Sequence, residues 1–125
     1  MKKIYIAGPM RNHPYYNYAS FKTVEQELVK LGYDAVNPHT LDFNETGFNV
    51  LDLPPDTDWT KIPSFIDLKN LVMRDISSLT SCDAIFILPG WENSIGASAE
   101  LAVAHWLNLR VLKELPKPAK DYILE

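Results

Sequence analysis

The sequence predicts an α/β fold: a three-layer, doubly wound, mostly parallel sheet of four to five strands, flavodoxin-like or Rossmann-like. Strand-like and helix-like segments alternate along the chain, which is the order that builds a parallel sheet with helices on both faces. The run from Asp83 to Leu88 (Asp-Ala-Ile-Phe-Ile-Leu) is largely apolar, as expected of a strand covered on both sides. Breaker residues close the strand-like segments, with Gly8-Pro9 the first example and Pro89-Gly90 the last.

The first part of the chain supplies a strand, a helix and a second strand. We expect a strand from Lys3 to Ala7, because this segment is β-rich and ends at a breaker. Asn17 or Ser20 is placed to cap a helix that ends at Gly32. The apolar residues of that helix recur at helical spacing: Phe21, Val24, Leu28 and Leu31. Asp34 to Val36 predicts a short second strand.

A long loop separates this part from three further elements and a last strand. His39 to Pro63 contains many Pro, Asn and Asp residues with weak periodicity, which indicates a functional or mobile loop. Ser64 to Asp67 fits a capping box, and the helix that it predicts carries on its inner side Leu68, Leu71, Val72, Ile76 and Leu79. After the strand at 83–88 we expect a helix from about Ile95 to Leu107, a strand from Arg110 to Lys113, and a tail that Pro116 and Pro118 begin.

Composition and charge narrow the function classes. The 125 residues suit one domain, 1–125, and 12 basic against 16 acidic residues give a net charge of −4. That balance argues against a nucleic-acid polymer as partner, because phosphate-backbone affinity rests on clustered Lys and Arg. It leaves room for a small phosphorylated ligand.

Cysteine, histidine and hydropathy patterns are equally restrictive. The single Cys82 rules out an internal disulfide framework, and the three histidines have no metal-ligand spacing, so we expect no metal and no cofactor. No apolar run approaches the about 20 residues that span a membrane, and Met1-Lys2-Lys3 leads into a strand and not into a signal peptide. We therefore expect a cytoplasmic protein with no membrane partner.

The ligand is expected at one edge of the sheet. In doubly wound folds it binds beyond the carboxyl ends of the strands, at the topological switch point. In this sequence the segments at that edge are Gly8 to Pro14, Asn37 to His39 and Pro89 to Ser94. The candidate binding residues are Gly8, Pro9, Met10, Arg11, Asn37, Pro89, Gly90, Trp91, Ser94 and Gly96.

Glu100 is the most informative residue. The predicted helix from Ile95 is otherwise small or apolar, which is typical of a helix buried nearly all round. A buried carboxylate needs partners, or its pKa rises until it is neutral. Glu100 is therefore either a nucleophile or general acid in a pocket, or a structural or outward-facing carboxylate.

Asp75 is the second carboxylate out of pattern. It shares a helix face with Leu71 and Leu79, where an apolar residue is expected. It either has a functional role, or forms an ion pair with Arg74 or Lys69, or lies exposed at an edge. Because Asp75 and the Glu100 helix flank one strand, the two carboxylates can converge, and such pairs suit glycosyl chemistry.

The remaining candidates have a functional and a structural interpretation each. A glycine at position 8 lets backbone approach a ligand and Arg11 could hold a phosphate or carboxylate, although a Gly-Pro turn after a strand is commonplace. The Ser94 hydroxyl and the amides at the helix start could bind an anion, or Ser94 could be a plain helix cap. Trp59 and Trp91 could stack on a base, or they could cover the core or form a contact between subunits.

Three segments in order resemble one family. They are Ile4-Tyr5-Ile6-Ala7-Gly8-Pro9, Arg74-Asp75-Ile76 and Ser94-Ile95-Gly96-Ala97-Ser98-Ala99-Glu100. Together they resemble the nucleoside 2-deoxyribosyltransferase superfamily, most closely its small phage and bacterial members of unassigned activity. The resemblance implies a single nucleoside deoxyribosyltransferase-like domain.

The resemblance also implies roles. It makes Glu100 the nucleophile that forms a covalent deoxyribosyl-enzyme, Asp75 the residue that assists departure of the base, and Tyr5 the residue that orients Glu100. The transferases carry an aspartate at the position of Ser94. The related 2'-deoxynucleoside 5'-monophosphate N-hydrolases have serine there, and an arginine where Arg11 stands. These two positions favour a 5'-monophosphate and hydrolysis.

The function that follows is cleavage of the N-glycosidic bond of a 2'-deoxynucleoside or its 5'-monophosphate, with hydrolysis favoured. The alternatives are a nucleoside 2-deoxyribosyltransferase that exchanges bases, a non-catalytic module that binds or senses a nucleotide or a nicotinamide-type metabolite, and a structural or interaction protein. The apolar last helix with Trp106 suggests a homo-oligomer, a dimer or higher, as in the family.

Overall fold

A computed structural model describes residues 1–122 of the chain and contains, in that range, one four-stranded sheet in which all neighbours are parallel. The strands are β1 (Lys3–Ala7), β2 (Asp34–Val36), β3 (Ala84–Ile87) and β4 (Arg110–Leu112), in the spatial order β2-β1-β3-β4. The predicted α/β class with a parallel, flavodoxin-like sheet is confirmed.

The winding of the chain reverses between β1 and β3. From β1 the chain passes to β2 on one side, then crosses back to β3 on the other side of β1 and continues outward to β4. Ile4 pairs with Ala35 of β2 and with Ala84 of β3, so β1 is hydrogen-bonded along both edges. The switch point of a doubly wound sheet therefore lies beyond the carboxyl ends of β1 and β3.

Helices cover both faces of the sheet and make three layers. They are α1 (Tyr18–Lys30), α2 (Pro38–Thr46), α3 (Leu68–Thr80) and α4 (Ile95–Trp106). Short 3-10 helices lie at Pro14–Asn17, Val50–Asp52, Trp91–Asn93 and Ala119–Tyr122. Alternation along β1 sends Ile4 and Ile6 into a core under α1, and Tyr5 and Ala7 into a second core under α3 and α4.

Local signals placed several boundaries correctly. The predicted bounds of β1 and β2 match the structure, whereas β3 is one residue shorter at each end and α4 ends at Trp106. Gly32 follows α1 with a φ of +94°, the left-handed backbone expected after a helix. Asn17 precedes α1, but its side-chain amide donates to the Pro9 carbonyl at 2.9 Å and does not cap the helix.

The predicted loop from His39 to Pro63 is wrong in its first part, where the structure has α2. Pro38 occupies the first turn, where its missing N–H costs nothing, and the Asn37 side chain accepts a bond from the His39 amide. Gly47, with a φ of +71°, ends the helix. These signals are present in the sequence, but α2 lacks the apolar periodicity that usually reveals a helix.

The start of α3 also differs from the prediction. The helix begins at Leu68, and Asp67 is its cap, accepting bonds from the Lys69 and Asn70 amides. The proposed capping box from Ser64 is therefore wrong. Leu68 and Val72 were both predicted on the inner side of this helix, but both are about half exposed.

The expectation that α4 is buried nearly all round is wrong for this chain alone. Its inward face carries Ala97, Leu101 and Ala104, all buried. The opposite side forms a row that we call the α4 stripe: Ile95, Ala99, Ala102 and Trp106. Ile95 is 90% exposed and Trp106 is 87% exposed. The apolar composition thus serves two faces, of which the sheet covers one.

The segment after β4 is not a free tail in its described part. The Ala119 amide donates to the Leu31 carbonyl at 2.7 Å, and the Tyr33 hydroxyl donates to the Lys117 carbonyl at 2.5 Å. The tail therefore packs back on the end of α1. Residues 123–125 of the predicted tail lie outside the described range. No helix within residues 1–122 has the length and apolar character to cross a membrane.

Candidate active site

Tyr5 and Glu100 meet beneath α4. Tyr5 lies in the middle of the central strand, is fully buried, and faces the core under α3 and α4. Its hydroxyl donates a hydrogen bond to Oε2 of Glu100, one turn and a half into α4. The contact joins the strand to the helix across 95 residues of sequence. The structure therefore brings together two of the three residues proposed to carry the chemistry.

Glu100 is held mainly in its neutral form. It is partly buried, and burial is the largest cause that raises its pKa from 4.5 to about 8. The hydrogen bond from Tyr5 opposes this shift and the charge of Asp75 adds to it. At pH 7 the free protein therefore keeps a carboxylic acid at this position.

Asp75 of α3 is buried against the same core and is paired with its neighbour in sequence. It is 9% exposed, and its Oδ1 accepts two bonds from Arg74, at 3.1 Å from Nε and 2.6 Å from Nη2. The ion pair considered from the sequence is thus real, while the alternative of an exposed Asp75 is not. The pair does not exclude a functional role, because Oδ2 forms no hydrogen bond within residues 1–122.

Arg74 gathers two further carboxylates that the sequence did not suggest. Its Nη2 bonds Asp42 Oδ1 at 2.5 Å and its Nη1 bonds Glu45 Oε2 at 2.7 Å. Both partners come from α2, inside the segment predicted as a loop, so no sequence signal connected them to α3. One guanidinium thus faces three carboxylates.

Burial raises the pKa of Asp75, and the charges around it act in both directions. Burial is the largest cause that raises its pKa from 3.8 to about 6; Arg74 lowers it, and Asp42 and Glu45 raise it again. The charge of Asp75 in turn raises the pKa values of Tyr5 and Glu100, which places the three groups within electrostatic reach of one another. Two carboxyl groups with shifted pKa values and a buried tyrosine therefore form one coupled cluster.

At the start of α4, Ser94 is a helix cap and Gly96 has no packing role within residues 1–122. Ser94 Oγ accepts a bond from the Ala97 amide at 3.1 Å, so the side chain does cap the helix. Its hydroxyl hydrogen is still free to donate to another group. A Cβ added at Gly96 would meet nothing within 4 Å in the described chain, so packing does not require glycine there.

Packing requires a glycine at position 8. A Cβ at this position would lie 2.6 Å from Leu88 Cβ, so the space is taken by the residue that follows β3. The expectation that Gly8 brings backbone close to a ligand stays a prediction, since this contact with Leu88 already accounts for the glycine. Met10 packs against the core under α1. Pro9 lies against Gly90, which has a φ of +86°.

The turn after β1 is strained and braced by Trp59. Asn12, Tyr15, Tyr16 and Asn17 all have positive φ angles, a rare conformation for residues with side chains. Trp59 packs on Tyr15 and Tyr16, with ring centroids 4.9 and 5.3 Å apart, and its carbonyl accepts a bond from the Asn12 amide. Trp59 therefore packs within the chain, against the turn that follows β1.

The other edge candidates differ in exposure. Arg11 and Pro89 are exposed, and Trp91 is partly buried against the core with Lys113 Nζ at 5.8 Å from its ring centroid. Trp91 thus covers the core. Asn37 is 2% exposed and its oxygen caps α2, so it is not presented to a ligand in this conformation.

His39 was not among the candidates but has an unusual environment. Its Nε2 lies 2.9 Å from the Tyr16 carbonyl, and burial lowers its pKa, so the ring is neutral at pH 7 with Nε2 as donor. Within the described chain, His39 Nδ1 and Asn37 Nδ2 are buried polar atoms that have no hydrogen-bond partner.

A family model for a domain of unknown function, DUF4406, matches residues 2–113, which is most of the chain. The chain belongs to this family. No curated protein matches it significantly.

The DUF4406 match covers every strand and the whole carboxyl cluster, so Tyr5, Asp75 and Glu100 all lie in the family's domain. Residues 1–122 contain no group of three His, Cys, Asp or Glu side chains suited to a metal ion. Two surface clefts of about 420 and 560 Å³ lie along 110–116 and along α1, and neither is lined by the cluster. What the cluster can do chemically is hold a proton on either of two coupled carboxyl groups and, when one is ionised, present a carboxylate to an electrophile.

Proposed function

We propose that the protein cleaves the N-glycosidic bond of a 2'-deoxynucleoside or its 5'-monophosphate, with hydrolysis favoured. The observation that carries the proposal is the hydrogen bond from Tyr5 to Glu100, beside a second carboxyl with a separately tuned pKa. Paired carboxyl groups of this kind suit glycosyl transfer, in which one attacks and the other donates a proton. The resemblance of three segments to the deoxyribosyltransferase superfamily points to the same chemistry.

The proposed reaction has two displacements. Oε1 of Glu100 forms a bond to the anomeric carbon while the bond from that carbon to the base nitrogen breaks, and Asp75 gives a proton to the departing base. Water then attacks the same carbon, returns Glu100 as a carboxylate, and passes its proton to Asp75. Negative charge on Glu100 stabilises the oxocarbenium-like transition state. Tyr5 holds Oε2 and leaves Oε1 for the attack.

The pH dependence of the reaction follows from the cluster. In the free protein the pKa is about 8 for Glu100 and about 6 for Asp75, the opposite of the order that the roles need. Between the two pKa values most molecules carry one proton on this pair of carboxyl groups, and in most of them the proton is on Glu100. The reactive form carries its proton on Asp75 instead, and it makes up roughly 1% of these singly protonated molecules. We expect kcat/KM to follow a bell-shaped pH profile with its maximum at about pH 7. Asp75→Asn should lose most activity, and its pH profile should no longer fall at alkaline pH because the proposed proton donor is gone.

A 5'-monophosphate is the preferred form of the substrate in this proposal. Ser94 retains a hydroxyl hydrogen at the start of α4, where helix amides and the helix dipole favour an anion. Gly96 leaves open space beside it, and Arg11 is exposed on the turn after β1. An aspartate at position 94 would repel a phosphate, so the serine favours the phosphorylated ligand.

The test is direct detection of free base. Purified protein is incubated with each of the four deoxynucleosides and their 5'-monophosphates, and released base is measured by chromatography. Glu100→Gln, which keeps the side-chain shape, should abolish release. Base exchange on addition of a second free base would identify the transferase alternative. Equal release by wild type and Glu100→Gln would contradict the proposed mechanism.

A nucleotide-binding or sensing module is the second candidate, favoured by the ion pair between Arg74 and Asp75 and by the neutral Glu100 of the free protein. A neutral carboxylic acid donates a hydrogen bond to a ligand without attacking it. Calorimetry separates the two: tight nucleotide binding with no base release over long incubation would support this candidate and contradict cleavage.

A homo-oligomer, a dimer or higher, is part of the proposal. The α4 stripe exposes an isoleucine and a tryptophan on either side of two alanines, without a charge between them. Apolar surface of this kind is typical of contacts between proteins. The stripe is adjacent to Glu100 along α4, so a second copy there would lie close to the carboxyl cluster.

A further inference from the structure

We propose that Arg74, oriented by Asp42, is a positioning residue that fixes the Asp75 carboxyl group with one oxygen bound and the other free for the ligand. The proposal rests on the proposed function in giving Asp75 the task of proton donor. It adds a device that the sequence did not reveal, in which α2 controls a residue on α3.

The hydrogen bonds to Asp75 are one-sided. Nε and Nη2 of Arg74 both donate to Oδ1, at 3.1 and 2.6 Å, whereas Oδ2 has no hydrogen bond in the described chain. Two donors on one oxygen restrict rotation of the carboxyl group about its last bond. They also make Oδ1 the poorer site for a proton, since a proton there would face two N–H groups. The proton therefore belongs on Oδ2, the oxygen left free for the departing base.

Arg74 is itself held in place from the other side. Its Nη2, which bonds Asp75, also bonds Asp42 Oδ1 at 2.5 Å, and its Nη1 bonds Glu45 Oε2 at 2.7 Å. The Arg74 side chain is 20% exposed and the Asp42 side chain 21%, so this pair is shielded, while that of Glu45 is half exposed. A planar guanidinium bound on three sides has little freedom, which is how arginine serves as a rigid orienting group.

The surplus of negative charge distinguishes this cluster from a single ion pair that links two helices. One guanidinium would balance one carboxylate, but three surround it. Burial is the largest cause that raises the pKa of Asp75, Arg74 lowers it, and the two α2 carboxylates, Asp42 and Glu45, add smaller effects that raise it. The pKa of Asp75 thus ends at about 6, above its usual value, while Arg74 fixes the orientation of the carboxyl group.

Three variants separate charge from geometry. In Arg74→Gln the stabilising cation is lost, and the pKa of Asp75 should rise by about one pH unit or more. In Asp42→Asn a repelling charge is lost while an acceptor oxygen remains, and the pKa of Asp75 should fall. Arg74→Lys keeps the charge but not the two-pronged contact, so the pKa of Asp75 should rise less than in Arg74→Gln. Glu27→Gln, which breaks an exposed ion pair on α1, is the matched control.

The measurement is a titration of the Asp75 side chain by carbon NMR on the free protein, together with urea unfolding to confirm that each variant folds. For Arg74→Lys we also expect kcat for base release to fall about 10- to 100-fold with less change in KM. If the Arg74 contacts only stabilised the fold, the variants would change the free energy of unfolding but neither the pKa of Asp75 nor kcat. An unchanged pKa of Asp75 in both Arg74→Gln and Asp42→Asn would overturn the proposal. The titration needs no turnover, so a wild-type protein that releases no base would count against the proposed function and leave this result standing.

Discussion

Replacing Glu100 by glutamine should stabilise the protein at neutral pH, and the gain should grow with pH. Burial raises the pKa of Glu100 from 4.5 to about 8. Between these values the unfolded chain ionises the carboxyl group while the folded chain keeps it protonated, so wild-type stability falls as pH rises. Each pH unit in this window costs about 1.4 kcal/mol of unfolding free energy. Glutamine keeps an oxygen for the Tyr5 hydroxyl and has no proton to lose.

The magnitude follows from the width of the window. At pH 7 the wild type has lost about 3 kcal/mol, and because Glu100 is partly exposed, solvent should reduce this to about 2 kcal/mol. The gain from Glu100→Gln should be near zero around pH 4.5, and it should level off above about pH 8. Urea unfolding followed by circular dichroism, repeated at several pH values in this range, measures the difference directly.

The control and the refuting result are equally specific. Glu27→Gln removes an exposed carboxylate of α1 that pairs with Lys30, a contact worth less than about 1 kcal/mol, and it gives the baseline for losing one surface charge. A Glu100→Gln variant that is less stable than wild type at pH 7 would refute the reasoning. So would an advantage of the same size at both ends of the pH window.

Two further predictions concern packing and assembly. Gly8→Ala should destabilise the fold by about 1–3 kcal/mol, because its Cβ would lie 2.6 Å from Leu88 Cβ, whereas Gly96→Ala should be neutral or stabilising by about 0.5 kcal/mol. Thermal unfolding of the two variants tests the contrast, and equal losses at both sites would contradict it. Ile95→Lys combined with Trp106→Lys should convert the expected oligomer to a monomer, as measured by size-exclusion chromatography with light scattering. A monomeric wild type would contradict the oligomer.

The elements predicted well from sequence are those whose signals are local. β1 shows its alternation and its breaker within seven residues, and Gly32 ends α1 because the left-handed conformation after a helix favours glycine. α2 was missed because it has no apolar stripe, and because its ion pairs with Arg74 of α3 leave no pattern in the sequence. Its Asn37 cap and its Gly47 end are local signals too, and they were outweighed by weak periodicity.

The carboxyl cluster was anticipated in part for the same reason. Glu100 and Asp75 are visible as polar residues in apolar patterns, and the alternation along β1 points Tyr5 to their face. The partners of Arg74 lie 29 and 32 residues away in a different helix, and no pattern connects such distances. Gly8 shows the same limit: its contact with Leu88 depends on the pairing of β1 with β3, which appears only when the sheet is assembled.

The central position of β1 has a consequence for synthesis on the ribosome. Ile4 and Tyr5 are synthesised before their partners in β3, which follow about 80 residues later. At about 5–20 residues per second, the edge of β1 that pairs with β3 stays without its partner strand for on the order of 4–16 s. A β-rich segment exposed for that time can pair with other chains, so the yield of folded protein should depend on translation speed and on chaperones that shield β1.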